Sequence, residues 1–280
     1  MKTWITPIPA LRELVTHYVV LETGATPVCP MVATTEVVLG FGPGQPGGEF
    51  DHRSGDCRNI PPVVVVGPRT EHLVDLQPTQ GFTAVFVTFA PGGFSRLFGV
   101  DVSELSDHAY AGEEVLGRDV LAVSDAISDA RSVRGKIGAV EAFLLARSAA
   151  ARAERATHRA ARSLKIAHGR LELRQLADES GVSDRWFRRE FIAQLGMPPK
   201  HYARVLRFEY ALRLKDSRPW MSWAQVGQEA GYYDQTHLVK DCKSLGAAPP
   251  TRLVHLASNP LLTLSDERLP AGELAALRHA

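Results

Sequence analysis

Apolar positions along the first hundred residues come in short runs. Residues 35–41, 63–66, 71–76 and 83–89 are rich in β-branched and aromatic side chains and are separated by Gly/Pro segments, so each is expected to be a strand. In 83–89, Ala84, Phe86 and Thr88 alternate with Val85, Val87 and Phe89. Both faces are apolar, which predicts a central strand. Short strands with turn signals between them predict an antiparallel barrel or sandwich.

Beyond residue 91 the period becomes helical. Residues 93–99 predict a short helix closed by glycine, and 114–130 and 136–152 predict two more. In the last, Ile137, Val140, Phe143 and Leu144 form a stripe. It could dock on the β domain or pair with a second subunit. The Ala/Arg-rich segment that follows marks a boundary. The organisation expected is 1–150 as a β-rich sensing or dimerisation domain, 151–162 as a helical linker, 163–256 as a helical domain and 257–280 as a tail with a short helical pattern at 271–278. The fold class is α+β.

An internal repeat lies in the helical part. Leu176-Ala177-Asp178-Glu179-Ser180-Gly181-Val182-Ser183-Asp184 corresponds to Val226-Gly227-Gln228-Glu229-Ala230-Gly231-Tyr232-Tyr233-Asp234, at an offset of about 50 residues. Each unit continues to a Leu-Gly pair, at 195–196 and 245–246. The small residue at 177 or 227 lets a second helix cross closely. Gly181 or Gly231 supplies the positive φ of a helix end, and Ser183 or Asp234 caps the next helix. This is helix, tight turn, helix, an arrangement that in DNA binders lays the second helix in the major groove.

In the first unit's second helix, Phe187 and Phe191 share a face, so Arg185, Arg188 and Arg189 fall on the other. A guanidinium fork matches a guanine edge or a phosphate. In the second unit, Leu238 and Cys242 point inward and Gln235, Thr236, His237 and Lys240 outward. Gln reads adenine and Thr meets a thymine methyl, while Lys240 and Lys243 suit phosphate. The candidate DNA-binding set is Ser183, Arg185, Trp186, Arg188, Arg189, Asp234, Gln235, Thr236, His237, Lys240 and Lys243. Residues 199–215 read as one long connecting helix with proline at its start.

Charge sharpens this picture. Residues 1–154 hold 12 Lys/Arg against 18 Asp/Glu, a net of −6, and residues 155–256 hold 18 against 10, a net of +8. A basic module joined to an acidic one suits a nucleic-acid binder with a regulatory domain. No segment has the ~20 apolar residues of a membrane helix, and the N-terminus lacks the apolar core of a signal peptide, so a cytoplasmic location and no membrane partner are expected. Cys29, Cys57 and Cys242 are scattered, which excludes a disulfide framework and a cysteine zinc site. The glycine-rich run 42–48 lacks the Gly-Lys-Ser/Thr ending of a phosphate loop and is expected to be a hairpin loop.

Taken together, Leu176-Ala177, Gly181, Ser183, Phe187, Phe191, Gly196-Met197-Pro198-Pro199, Tyr202, Arg207, Ala211, Gly227, Gly231-Tyr232, Asp234-Gln235, Leu238, Gly246 and Pro249 resemble the AraC/XylS family of bacterial regulators over about residues 160–250. The resemblance implies two helix-turn-helix motifs joined by a long helix and bound to asymmetric sites near promoters. It maps the base-facing positions onto Arg185, Arg188 and Arg189 and onto Gln235, Thr236 and Lys240. Cys242 departs from the family's usual phenylalanine, and the aromatic expected near Arg252 is missing. The segment 92–100 resembles the sensor-type domains of some members, which implies a small cupin-like β barrel.

The His-x-His…Glu…His set of metal cupins is absent, and His52, His72 and His108 are isolated in sequence, so no metal and no cofactor are expected. The function expected is a sequence-specific transcription regulator, activator or repressor, with double-stranded DNA as partner. A small-molecule effector, RNA polymerase and a homodimer are further partners the resemblance leaves open. Two alternatives are a DNA-repair enzyme fused to a helix-turn-helix module and an interaction protein that does not bind DNA. The first needs a reactive cysteine in a metal-like cluster, which Cys29 and Cys57 do not supply. The Arg185/Arg188/Arg189 face argues against the second.

Overall fold

The computed structural model describes residues 1–24, 28–42, 47–78 and 81–257. The centre of the 42–48 run, Pro260-Leu261-Leu262 and the 271–278 pattern lie outside the described residues.

Strands β1 (Lys2–Ile5), β2 (Val15–Thr23), β3 (Cys29–Met31), β4 (Val38–Phe41), β5 (Gly47–Asp51), β6 (Cys57–Asn59), β7 (Val63–Val66), β8 (Val74–Pro78), β9 (Phe82–Phe89) and β10 (Ala109–Ala111) form two antiparallel sheets. One has the order β1-β2-β9-β4-β7-β10, the other β3-β8-β5-β6. β9 is central, with Val85 paired to Val20 and Val87 to Leu39. Its two apolar faces have separate uses. Val85, Val87 and Phe89 join Leu39, Phe41 and Tyr18 in the main core. Phe86 and Phe82 pack with Val19, Leu21, Cys29 and Leu76, the small core between the two sheets.

The helices α1 (Gly93–Phe98), α2 (Gly112–Leu116), α3 (Asp119–Asp129) and α4 (Val133–Ser148) follow. The single helix expected over 114–130 is two, because the chain turns at Gly117. The stripe Ile137, Val140, Phe143 and Leu144 is buried in the main core, so it docks on the β domain. The layers are therefore helices, six-stranded sheet, four-stranded sheet.

The antiparallel β domain is as the sequence indicates, but it is open and not a closed barrel. Between β3 and β4 the chain leaves the sheets, touching the β domain through a bridge from Thr34 to Arg69 and, just before β4, through Val37 O, which accepts from Phe89 N at 3.2 Å. Two further backbone amides of the segment donate to the helical domain. Ala33 N donates to Leu245 O at 2.7 Å and Thr35 N to Glu209 Oε1 at 3.2 Å.

Residues 151–155 are irregular, and α5 (Ala156–Ile166), α6 (Leu173–Glu179), α7 (Asp184–Leu195), α8 (Pro199–Ser217), α9 (Trp223–Glu229), α10 (Gln235–Gly246) and α11 (Pro250–Ala257) make the helical part. α8 spans about 28 Å at 1.5 Å per residue. It is more than a spacer, since Tyr202, Val205, Leu206, Phe208, Ala211 and Leu214 are buried in the helical core. Both helix-turn-helix units pack on this one spine. The seam with the β domain holds a buried ion pair, Lys165 Nζ to Glu36 Oε1 at 3.0 Å, with the side chains 9% and 6% exposed. His201 Nε2 meets Thr70 O at 2.8 Å, and Ser106 Oγ donates to Gly196 O at 2.5 Å.

Candidate nucleic-acid interface

In the first unit, α6 ends into a turn where Gly181 has φ 69°. An L side chain resists that conformation, and glycine accepts it. Ser183 then caps α7, its Oγ accepting from the Trp186 amide at 3.3 Å. Phe187, Phe191 and Leu195 point into the core, and Phe191 meets Tyr202 of α8 edge-on at 5.3 Å between ring centroids. That packing fixes the roll of α7. It leaves Arg185, Arg188 and Arg189 exposed, and among the described residues none of their three side chains has an ion pair or a hydrogen bond. Some arginines of this domain are paired, Arg155 with Glu190, Arg162 with Glu154 and Arg218 with Glu229, while Arg159 and Arg174 are exposed like the three on α7. Trp186 is half-buried beside the cap.

The second unit repeats the plan. Gly231 has φ 83°, and Asp234 caps α10 by accepting from the His237 amide at 2.7 Å. A Cβ at Gly227 would come within 3.3 Å of Leu238, so the small residue does permit the close crossing. Leu238, Cys242 and Leu245 are buried. Gln235, Thr236, Lys240 and Lys243 are exposed, while His237 is half-buried with its ring edge-on to Tyr232. The eleven candidate side chains thus lie along two helices, α7 and α10, and at their caps.

Three features escaped the sequence reading. Asp241 is buried and accepts from Arg204 Nε of α8 at 2.8 Å, which ties α10 to the spine. Its signal was the inward stripe 238, 241, 242, 245, which has helical spacing. Tyr233 is 95% exposed directly before the α10 cap, and Trp220 is 79% exposed in the connection from α8 to α9. Aligning Tyr233-Asp234 with Val182-Ser183 would have marked the first.

Electrostatics bear on the cysteine alternative. Burial, with Asp241 nearby, pushes the Cys242 thiol up to about 12, and burial does the same to Cys29, with a smaller push from Asp75. Neither yields a thiolate near neutral pH, the form a nucleophile needs.

Residues 176–255 match the family described as a helix-turn-helix domain, and residues 3–111 match one described as a domain of unknown function, DUF6597. No curated protein matches the chain. Among solved structures it is similar to ToxT of Vibrio cholerae. An apo variant superposes with a TM-score of 0.51 at 10% identity, covering 86% of this chain and 98% of that one. Wild-type ToxT with a bound unsaturated fatty acid gives 0.51 at 10% identity, over 85% and 95%. A further ToxT crystal form gives 0.50 at 9% identity, over 85% and 98%. The likeness at this identity is one of fold.

Proposed function

We propose that this chain, whose residues 176–255 match a helix-turn-helix family, is a regulator of the AraC type, and that its two units divide the work on DNA. The chain is a DNA-binding transcription regulator and not an enzyme. The first unit reads base edges through Arg185, Arg188 and Arg189. The second positions the protein through Lys240 and Lys243 on phosphate, with Gln235 and Thr236 making the lesser base contacts. Ser183 and Asp234 orient the two helices, and Trp186, His237 and Tyr233 flank the groove.

One observation carries this reading: three unpaired arginines lie opposite an aromatic anchor at the capped end of α7. Fixed roll and free guanidinium groups are what bidentate recognition requires. The division 1–150 for sensing or dimerisation, 163–256 for DNA and 257–280 as tail goes with it; of the 151–162 linker, only 151–155 is free of the helical core, since Ala160 and Ala161 of α5 are buried in it. Sequencing of genomic fragments recovered by the purified protein at moderate ionic strength should return discrete sites near promoters. Recovery of random duplex would overturn the reading.

The same premise extends to an effector. A narrow cleft at the seam, about 330 Å³ counting its mouth, is lined by Phe89, Phe94, Val102, Leu195, Glu36 and Lys165. Its interior has room for about a water molecule, so a ligand enters only as the domains part. An amphiphile with a carboxylate, like the fatty acid of the ToxT complex, would bury its chain against the phenylalanines and compete with Glu36 for Lys165.

A further inference from the structure

The absence of a metal was expected because the histidines of the N-terminal half stand alone in sequence. The fold removes that premise for two of them. β5 and β8 pair antiparallel, with Phe50 opposite Asp75 and Asp51 opposite Val74. The His52 amide carries the ladder one step further, donating to Leu73 O at 2.9 Å. Alternation along a strand puts His52, two residues after Phe50, on the face that bears Asp75, as its diagonal neighbour. His72 lies in the bend before β8, outside the pleat, and its ring reaches the same side.

The three side chains converge on one point. His52 Nε2 is 3.0 Å from Asp75 Oδ2, and His72 Nε2 is 2.8 Å from Asp75 Oδ1. The two imidazole centroids are 4.9 Å apart, and one ligand atom from each of the three residues lies within 4.8 Å of the others. Phe50 supports the His52 ring edge-on at 5.1 Å. The side chains of His52, His72 and Asp75 are 42%, 12% and 22% exposed, so the cluster opens to solvent on the His52 side.

We propose that His52, His72 and Asp75 form a binding site for a divalent transition metal of the zinc class. Two imidazole nitrogens and one carboxylate oxygen are a borderline donor set, the kind that zinc takes at about 2.0–2.2 Å per ligand. Both rings present the same atom, Nε2. With the ring protons on Nδ1, a cation accepts both Nε2 lone pairs and one oxygen of Asp75. The present separations close to coordination distance by rotation of side chains, of which the outermost, His52, is the most exposed. Three protein ligands leave at least one position for water or another small ligand. The site clamps the end of β5 to the start of β8.

The test uses Zn²⁺ alone and the full chain stripped with chelator. Calorimetric titration, with bound zinc counted after desalting, should give one ion per chain. His52→Ala and Asp75→Asn should each weaken binding by roughly a hundredfold or more, beyond what loss of an outer-sphere partner costs. His108→Gln, which changes an exposed histidine elsewhere, should leave binding unaltered. His52 is exposed enough that its variant keeps the fold, which the circular dichroism melt verifies, so it decides the matter if Asp75→Asn unfolds. Absence of binding in the wild-type chain, or equal affinity in His52→Ala, overturns the site.

Discussion

The two helix-turn-helix units share a backbone plan and are closed by different chemistry. α7 is seated by aromatic packing, Phe187 against Phe191 and Phe191 against Tyr202. α10 is seated by smaller side chains, Leu238 and Cys242, and by the buried ion pair of Asp241 with Arg204. Cys242 is smaller than the phenylalanines that seat the first unit, and the ion pair on the same helix is a second hold on the spine. Aromatic packing is indifferent to partners' charge and leaves Arg185, Arg188 and Arg189 exposed beside only Asp184 and the Arg155-paired Glu190. A helix held by a carboxylate at its base carries its own negative charge within a turn of Lys240. The first unit accordingly presents three arginines and the second a mixed polar surface, which is the physical ground for assigning reading to one and positioning to the other.

This comparison can be broken at its anchors. Phe191→Ala should have the largest effect, about 3–5 kcal/mol of stability, since it empties a fully buried aromatic site. Chemical denaturation measures it, and DNA binding should fall with it. Arg204→Ala comes next, at about 3 kcal/mol, because it strands the buried Asp241 carboxylate. Arg204→Ala paired with Asp241→Leu should recover much of that loss. If Arg204→Ala proves neutral, the second unit does not depend on the ion pair, and the contrast between the units fails.

A smaller effect belongs to the seam. Burial, with Glu36 beside it, raises the Glu209 carboxyl from its ordinary value to about 7. A carboxyl raised on folding contributes stability that is full below about 4.5, its ordinary value, and lost as pH rises through about 7. Wild-type stability should therefore fall between about pH 5 and 8 relative to Glu209→Gln, with the variant the more stable at the alkaline end. Parallel pH profiles for the two proteins would remove Glu209 from the account of the seam.

Local grammar made the helical domain readable. Gly181, Ser183, Gly231 and Asp234 each act on neighbours a few residues away, so their spacing announced the turns and caps, and the phenylalanine pair announced the face of α7. The nine-residue β2 has an equally plain β-branched signal at Val15, Val19 and Val20. What stayed hidden depends on distant pairs. Arg204 and Asp241 each look like surface charges on amphipathic helices. Lys165 and Glu36 are 129 residues apart. His52 and His72 meet because two strands fall into one register. Ala33 and Thr35 likewise donate to partners far along the chain, Leu245 and Glu209.

The most direct test of the division between the units is the affinity of two variants for the cognate site and its single-base changes, followed as a function of salt. Arg188→Ala should lose about 1–3 kcal/mol on the cognate site and become indifferent at one base pair. Lys243→Ala should weaken every duplex alike and lower the salt slope by about 1. The reverse pattern, with Arg188→Ala shifting all duplexes equally and Lys243→Ala relaxing a base preference, would contradict the assignment.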